Sequence, residues 1–577
     1  MKTAPIPVRE TATRLRRRGL VQVLLLGVLL MATFPKPARA QDVEVPSPAD
    51  FDVYGGYRKI RSQANPNGAD HFAVEKLDGQ WWFITPEGNA FFKLGVACVT
   101  LYGPGKDFRG KTYQENAMAK YGKTEVWAQE ITKRLRGWGF NTFDQYSGYV
   151  EPWFPYMKEK MAFILTRGFA RHALGSKTVG NLLQDLNCRH AGGGPRVFPD
   201  VFDPAFETFC GKHAGEVADK RDHRKWILGV TMDEADDLFG FGGAGGHPHL
   251  GWAAAQVNPA GGPSGKIHTK QALADFLKTK YGTIAALNAA WGTAYTGFGS
   301  EGGWGKGAGL LDEDGRNLGD KEAYDHTRGN WGRDYFPNKT FKTKALEQDL
   351  DDFLEQISRR YFSVTGAGLR AALPGVPLIA ARGGPDSRVP IIRGAKDHID
   401  VFCGGGSPKE VEKFYAVAGK PVVGSFYGTA NKDSAVAGRE KNVQSEHATQ
   451  PARGEGYRKT LESLAAMRAG TAGEYPYVGC MIWCLFDAGL QNWETGNFGL
   501  VTVMDNAYDG REARKAAGKD AAGRTVGGEE GDYGDFVSAV REANRTVYVV
   551  RPLVRGKPGS APAGAGPAPK PARPHGR

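Results

Sequence analysis

The 577-residue sequence predicts an α/β chain folded as a (β/α)8 TIM barrel, with an N-terminal β-hairpin segment and long glycine-rich loop insertions. Three observations carry this expectation. Short apolar runs alternate with amphipathic helical stretches, the pattern of βαβ units and a parallel sheet. About eight such runs can be counted from Phe91 onward, the number that closes a barrel. None of them leads into a G-x-G-x-x-G loop and helix, which argues against a doubly wound nucleotide-binding sheet.

The two ends of the chain read differently from its middle. Arg14, Arg16, Arg17 and Arg18 precede an apolar run from Leu20 to Phe34, and Ala38-Arg39-Ala40 follows. That is the order of a signal peptide, with cleavage expected near Gln41. The run is short for a membrane anchor, so the expectation is a secreted or periplasmic protein with no membrane span after signal cleavage. Residues 41–70 are expected to be an irregular lead-in, 71–551 the barrel, and 552–577 a disordered Pro/Ala/Gly-rich basic tail. Residues 1–40 carry eight Lys/Arg against Glu10, and the tail carries five more, so these two ends hold the whole +12 formal charge. The near-neutral middle excludes a nucleic-acid surface there. The oligomeric state is unknown from the sequence.

The elements follow in order. HFAVEKLDGQWWFITPEGNAFF reads as strands joined by turns at Asp78-Gly79 and Pro86-Glu87-Gly88, and Phe91 to Thr100 as one continuous buried strand. Glu125 to Trp138 has helical spacing and ends at Gly139. Strand-like runs follow at Phe140–Tyr146, Met161–Thr166 and Ile227–Met232. Ala272–Trp291 is helical with a break at Gly282, and Leu346–Ala372 is a longer amphipathic helix. The runs Leu378–Ala381, 399–403, 422–427 and 478–486, with a helix over Tyr457–Ala466, complete the series.

Chemistry concentrates after Ile227–Met232, where Asp233, Glu234, Asp236 and Asp237 fall within five positions. Acids just past the carboxyl end of a barrel strand stand where such barrels place their active sites, although a solvated acidic loop has the same composition. Trp153 and Trp483 follow strands and suit stacking on a ligand, whereas Trp81, Trp82 and Trp138 sit in apolar patterns expected in the core. Of six cysteines, Cys188 and Cys210 could close a loop, while Cys98, Cys403, Cys480 and Cys484 read as packing residues. With no C-x-x-C and scattered histidines, no metal site and no cofactor are expected.

The segment DGQWWFITPEGNAFFKLGV resembles the opening of agarase-like glycoside hydrolases. FLKTKYGTIAALNAAWGTAY is similar to the segment after the fourth strand in glycoside hydrolase families 42 and 50. LIAARGG, HIDVFCGGGS and KPVVGSFYGTA resemble strands five to seven of family 50, and CMIWCLFDAGLQNWETGNFGLVTVMDNAYDG its eighth strand and following loop. The resemblance runs in the right order through most of residues 72–510. It implies a glycoside hydrolase of the retaining barrel clan acting on a galactan-type polysaccharide or oligosaccharide. It further implies an acid/base Glu after an Asn at the end of strand four and a nucleophilic Glu at the end of strand seven, about 5–5.5 Å apart.

Three departures qualify that implication. At strand six, Gly404-Gly405-Gly406 replaces the N-x-Y usual in the family. Ser425 stands where the nucleophile is expected, in KPVVGSFYG. At strand four the expected D-N-E aligns without gaps as Asp233-Glu234-Ala235; sliding by one position, the preferred register, puts Glu234 at the acid/base. The catalytic candidates are therefore Glu234, Asp233 and Asp487, with Asp144, Asp386 and Glu410 as further partners on the rim. The substrate-binding candidates are Asp144, Trp153, Arg382, Ser425, Tyr427, Trp483, Trp493 and Glu494. Two other readings stay open: a carbohydrate-binding barrel that has lost hydrolysis, and an acid cluster that binds a cation such as Ca²⁺.

Overall fold

The computed structural model describes residues 45–103, 105–107, 109–147, 158–183, 198–233, 250–315, 317–318, 341–380, 388–404, 407–426, 429–431, 445–487, 498–510, 518–519, 525–526 and 534–551. The chain begins with a four-stranded sheet of β1 (Tyr57–Arg61), β2 (Ala73–Leu77), β3 (Gln80–Ile84) and β4 (Asn89–Phe91), in the order β1-β4-β3-β2. Asp78 (φ +49°) and Gly79 (φ +77°) make the tight β2–β3 turn in the left-handed region that a two-residue hairpin requires. The segment expected to be an irregular lead-in therefore contains a strand, β1, paired antiparallel with β4.

The barrel follows. Its strands are β5 (Lys93–Val96), β6 (Thr142–Phe143), β7 (Ala162–Arg167), β8 (Ile227–Met232), β9 (Leu378–Ala380), β10 (Phe402–Cys403), β11 (Val422–Phe426) and β14 (Tyr477–Ile482). Between the last two lies a small ribbon of β12 (Thr429–Asn431) and β13 (Ser445–His447). All neighbouring barrel strands pair in parallel. The sheet closes through the Ile379–Val401 bridge, where the Ala380 N–H donates to Val401 O at 2.9 Å. This is the (β/α)8 barrel. The predicted single run Phe91–Thr100 is divided at Phe92, with its first residue in the N-terminal sheet and only Lys93–Val96 in the barrel; residues 97–100 lie past the strand end.

Helices fill the crossovers: α1 (Tyr113–Tyr121), α2 (Thr124–Gly137), α3 (Ala170–Gly175), α4 (Pro204–Gly215), α5 (Leu250–Gln256), α6 (His268–Tyr281), α7 (Ile284–Trp291), α8 (Lys344–Ala372), α9 (Val389–Ala395), α10 (Pro408–Ala418), α11 (Gln450–Ala466) and α12 (Val537–Val550). The break at Gly282 is real: Gly282 (φ +72°) ends α6, and the Thr283 hydroxyl then caps α7 by accepting the Ala286 N–H. In α8, Leu346, Leu350, Phe353, Leu354, Ile357 and Tyr361 recur at helical spacing and are all buried, which fixes that helix on the barrel wall. Helix α11 starts at Gln450, seven residues before the expected Tyr457, because Thr449 caps it and Pro451 suits its first turn.

The lower end of the barrel is plugged. Phe72, Phe83 and Phe91 of the N-terminal segment pack with Ala162, Ile164, Leu228, Ile379, Cys403, Val423 and Val478, the inward residues of the barrel strands. Helix α12 returns to the same end. Tyr548 stacks on Trp82 at 6.2 Å, and Arg551 donates to the carbonyls of Ala465, Trp81 and Tyr477 while lying over the Trp82 ring at 4.8 Å. Burial pushes the Arg551 guanidinium down to about 9. Cys210 is a free, fully buried thiol on α4, so the loop-closing role considered for it is not formed; Cys188 lies outside the described residues.

Candidate functional site

The carboxyl ends of β5, β6 and β8 share one peculiarity. Each is followed by a non-glycine residue in the left-handed region: Cys98 (φ +55°), Tyr146 (φ +60°) and Asp233 (φ +64°). This conformation costs roughly 1–2 kcal/mol for an ordinary L-residue. Such strain clusters where the surrounding structure aims side chains for function.

Asp233 shows what holds one of these residues. Its N–H donates to Arg167 O at 2.9 Å. One carboxylate oxygen accepts the N–H groups of Phe169 and Ala170 at 2.6 and 2.8 Å, at the start of α3, and the other accepts the Tyr361 hydroxyl from α8. The side chain is fully buried and turned toward the helix layer. Asp233 thus ties together strand ends β7 and β8, and its surroundings suit holding rather than proton exchange. Histidines brace the same turn. Gly168 O receives both His213 Nε2 at 2.8 Å and His172 Nδ1 at 2.9 Å, while Arg167 Nη2 lies 2.9 Å from His213 Nδ1. An Arg donor facing Nδ1 requires that nitrogen to accept, so the geometry fits neutral His213 with its proton on Nε2. Burial, then the Arg167 charge, pushes its pKa below the ordinary value.

Asp487 stands after β14 and is also buried. Its oxygens accept the Gly499 N–H at 2.9 Å and the Tyr508 hydroxyl at 2.6 Å. Beside it, Arg453 donates to the carbonyls of Phe498 and Gly499 at 2.6 and 2.9 Å, and burial lowers its pKa to about 10. Asp487 therefore anchors the returning end of the loop after β14. Glu410 is engaged elsewhere: its carboxylate accepts the Ser407 hydroxyl at 2.9 Å at the start of α10.

Asp144 follows β6 and faces the barrel interior, where it forms a buried ion pair with Lys93 of β5. Lys93 Nζ also lies 3.4 Å from Cys480 O on β14, so this pair spans three neighbouring strands under the mouth. A pair withdrawn from water this far needs close geometry to offset desolvation. Gly95 makes room for it: a Cβ there would lie 2.1 Å from Asp144 Oδ2.

Above this pair stands an aromatic corner. Tyr146 and Trp483 meet edge to face, with centroids 5.5 Å apart and an interplanar angle of 89°. Trp483 follows β14, and its peptide bond to Cys484 is cis. Ser425 of β11 is in register with Met481 of β14, which places position 425 on the strand next to this corner.

The structure thus brings Asp144, Asp233, Asp487, Trp483 and position 425 to one end of the barrel. Glu234, Trp153, Arg382, Asp386, Tyr427, Trp493 and Glu494 lie outside the described residues. Sequence reasoning missed Lys93, Tyr146, Tyr361 and the His172–His213 pair. Tyr146 sat in a run read as strand, and no pattern in FDQY signals a left-handed backbone. Among the described residues, no cluster of three or more His, Cys, Asp or Glu is arranged to hold a metal, and no helix is long and apolar enough to cross a membrane.

No protein-family profile matches the chain. It is 23% identical over 414 residues to beta-agarase B of Vibrio sp. (strain JT0107), covering 61% of this chain and 37% of that protein. It is also 23% identical over 378 residues to beta-agarase A of the same strain, covering 57% of this chain and 33% of that one. The chain thus spans about a third of the length of these relatives. Among solved structures it resembles an exo-beta-agarase (TM-score 0.60, 19% identity, 88% of this chain and 68% of that one). It also resembles another agarase (TM-score 0.60, 17% identity, 94% and 72%). At these identities the structural likeness concerns the fold.

Proposed function

We propose that this chain is an agarase-like glycoside hydrolase that acts on a galactan-type polysaccharide or oligosaccharide at the carboxyl-terminal mouth of its barrel. The observation that carries the reading is the sequence match to beta-agarase B through 61% of the chain. The aromatic corner at the mouth supports it, because flat apolar faces suit the C–H faces of sugar rings. The basic and apolar segment before Ala40 supports export to the periplasm or the medium.

In this reading Glu234 is the proton donor to the leaving oxygen. Asp233, pinned by α3 and Tyr361, fixes the strand end from which Glu234 continues. A second carboxylate is required. Serine at position 425 does not supply one and is a poor nucleophile without a base. Asp144 is paired with Lys93, Asp487 is engaged by its own loop and Glu410 by Ser407 at the start of α10, which leaves Asp386 among the rim candidates as the partner. A partner displaced from strand seven fits the wider inverting separation of about 6.5–9.5 Å, with water as nucleophile.

The serine at 425 favours a second reading, a barrel that binds galactan without cleaving it. One assay separates the two. The mature chain is incubated with agarose and other galactans while reducing ends and product anomers are followed by NMR. Hydrolysis that falls at least about a hundredfold in Glu234→Gln supports the first reading. Saturable binding with no new reducing ends supports the second, and full activity in Glu234→Gln removes Glu234 from the mechanism.

A further inference from the structure

We infer that Tyr146 is a sugar-binding residue of the mouth, forming with Trp483 a right-angled corner that receives one pyranose ring of the substrate. The inference rests on the galactan-hydrolase reading and adds a residue that nothing in the sequence singled out.

Four observations converge on Tyr146. It is 42% exposed, whereas most large aromatic side chains of the described residues are buried. It stands in the left-handed region at φ +60°, an unfavourable place for a bulky side chain unless its neighbours hold it there. The neighbours do so with a dense set of bonds. Asp144 N–H donates to Val96 O at 2.9 Å, Cys98 N–H to Gln145 O at 3.0 Å, and Val99 N–H to the Ser147 hydroxyl at 2.9 Å. The Ser147 N–H closes the turn on Asp144 O at 3.1 Å. Finally, the ring meets Trp483 with centroids 5.5 Å apart at 89°, so the two ring planes stand at a right angle beside strand ends β14 and β6.

A pyranose has a matching shape. Its C–H groups gather on one face, and its hydroxyls project around the rim. A stacked apolar face beside a second ring, with the Tyr146 phenol near the rim, orients such a ring without any charge. A purely structural tyrosine would instead turn its ring into the core.

The test uses the full chain carrying Glu234→Gln, so that the probe is not consumed, and titrates in an agarose-derived hexasaccharide by calorimetry. Tyr146→Gly should weaken binding about tenfold, the size expected for one aromatic stacking contact. Its melting temperature should not fall, because glycine accepts the left-handed backbone freely. Tyr146→Phe should restore most of the affinity. Unchanged affinity in Tyr146→Gly, with the parent chain binding normally, overturns this inference and leaves the proposed function standing. Absence of binding by the parent chain, together with absence of hydrolysis by the unsubstituted chain, overturns both.

Discussion

The two ends of the barrel are built on opposite principles. The lower end is closed by phenylalanines from the N-terminal sheet, and helix α12 straps it from outside. There Arg551 donates to three backbone carbonyls. The upper end carries three left-handed residues, a buried ion pair, buried acids holding loops, and an exposed aromatic corner. One end stores stability and the other stores strain and charge. The difference is what a barrel scaffold permits: loops at one face can specialise because the other face is sealed.

The contrast is open to attack from either end. The largest effect is expected at the lower one. Arg551→Ala removes a buried side chain and three charge-assisted hydrogen bonds, and should cost about 4 kcal/mol in urea unfolding. Activity per folded molecule should be unchanged, and a matching loss of activity would show that the two ends are coupled. Asp233→Ala should cost less stability, about 2–3 kcal/mol, because it takes the carboxylate away from two N–H groups and the Tyr361 hydroxyl. Its activity should nevertheless collapse, since the strand end before Glu234 is released.

The smallest effect is a pH dependence confined to the mouth. His213 has its folded pKa below the ordinary 6.5, so between those two values the unfolded chain binds the extra proton. Its contribution to stability is therefore complete above pH about 6.5 and is lost as pH falls below that value. Hydrogen-exchange protection at Gly168, Phe169 and Ala170, corrected for the intrinsic rate at each pH, should fall on going from pH 7 to pH 5, while protection at Phe83 and Phe91 should not. An equal loss of protection at both places would remove His213 as the cause.

Much of the fold was legible because it follows from periodicity. The alternation of runs and helices, the Asp78-Gly79 turn and the break at Gly282 are all local patterns that tertiary context did not override. The lead-in strand β1 was not, because Tyr57–Arg61 becomes a strand only through its pairing with β4. The site divides the same way. Acids after β8 mark the rim by composition, but whether an acid reacts or holds depends on its partners. For Asp233 those partners are Phe169, Ala170 and Tyr361, up to 128 positions away in sequence. Lys93 was hidden for a related reason: a lysine inside an apolar strand makes sense only once Asp144 is seen beside it.

The strap at the lower end also sets a schedule. Arg551 bonds to Trp81 across 470 positions of sequence. At a synthesis rate of about 5–20 residues per second, the strand that needs this contact waits roughly 25–90 s for it. Throughout that interval Trp81, Trp82 and Phe92 lack their last neighbour. Until the final helix arrives, these aromatics must be kept from other partners.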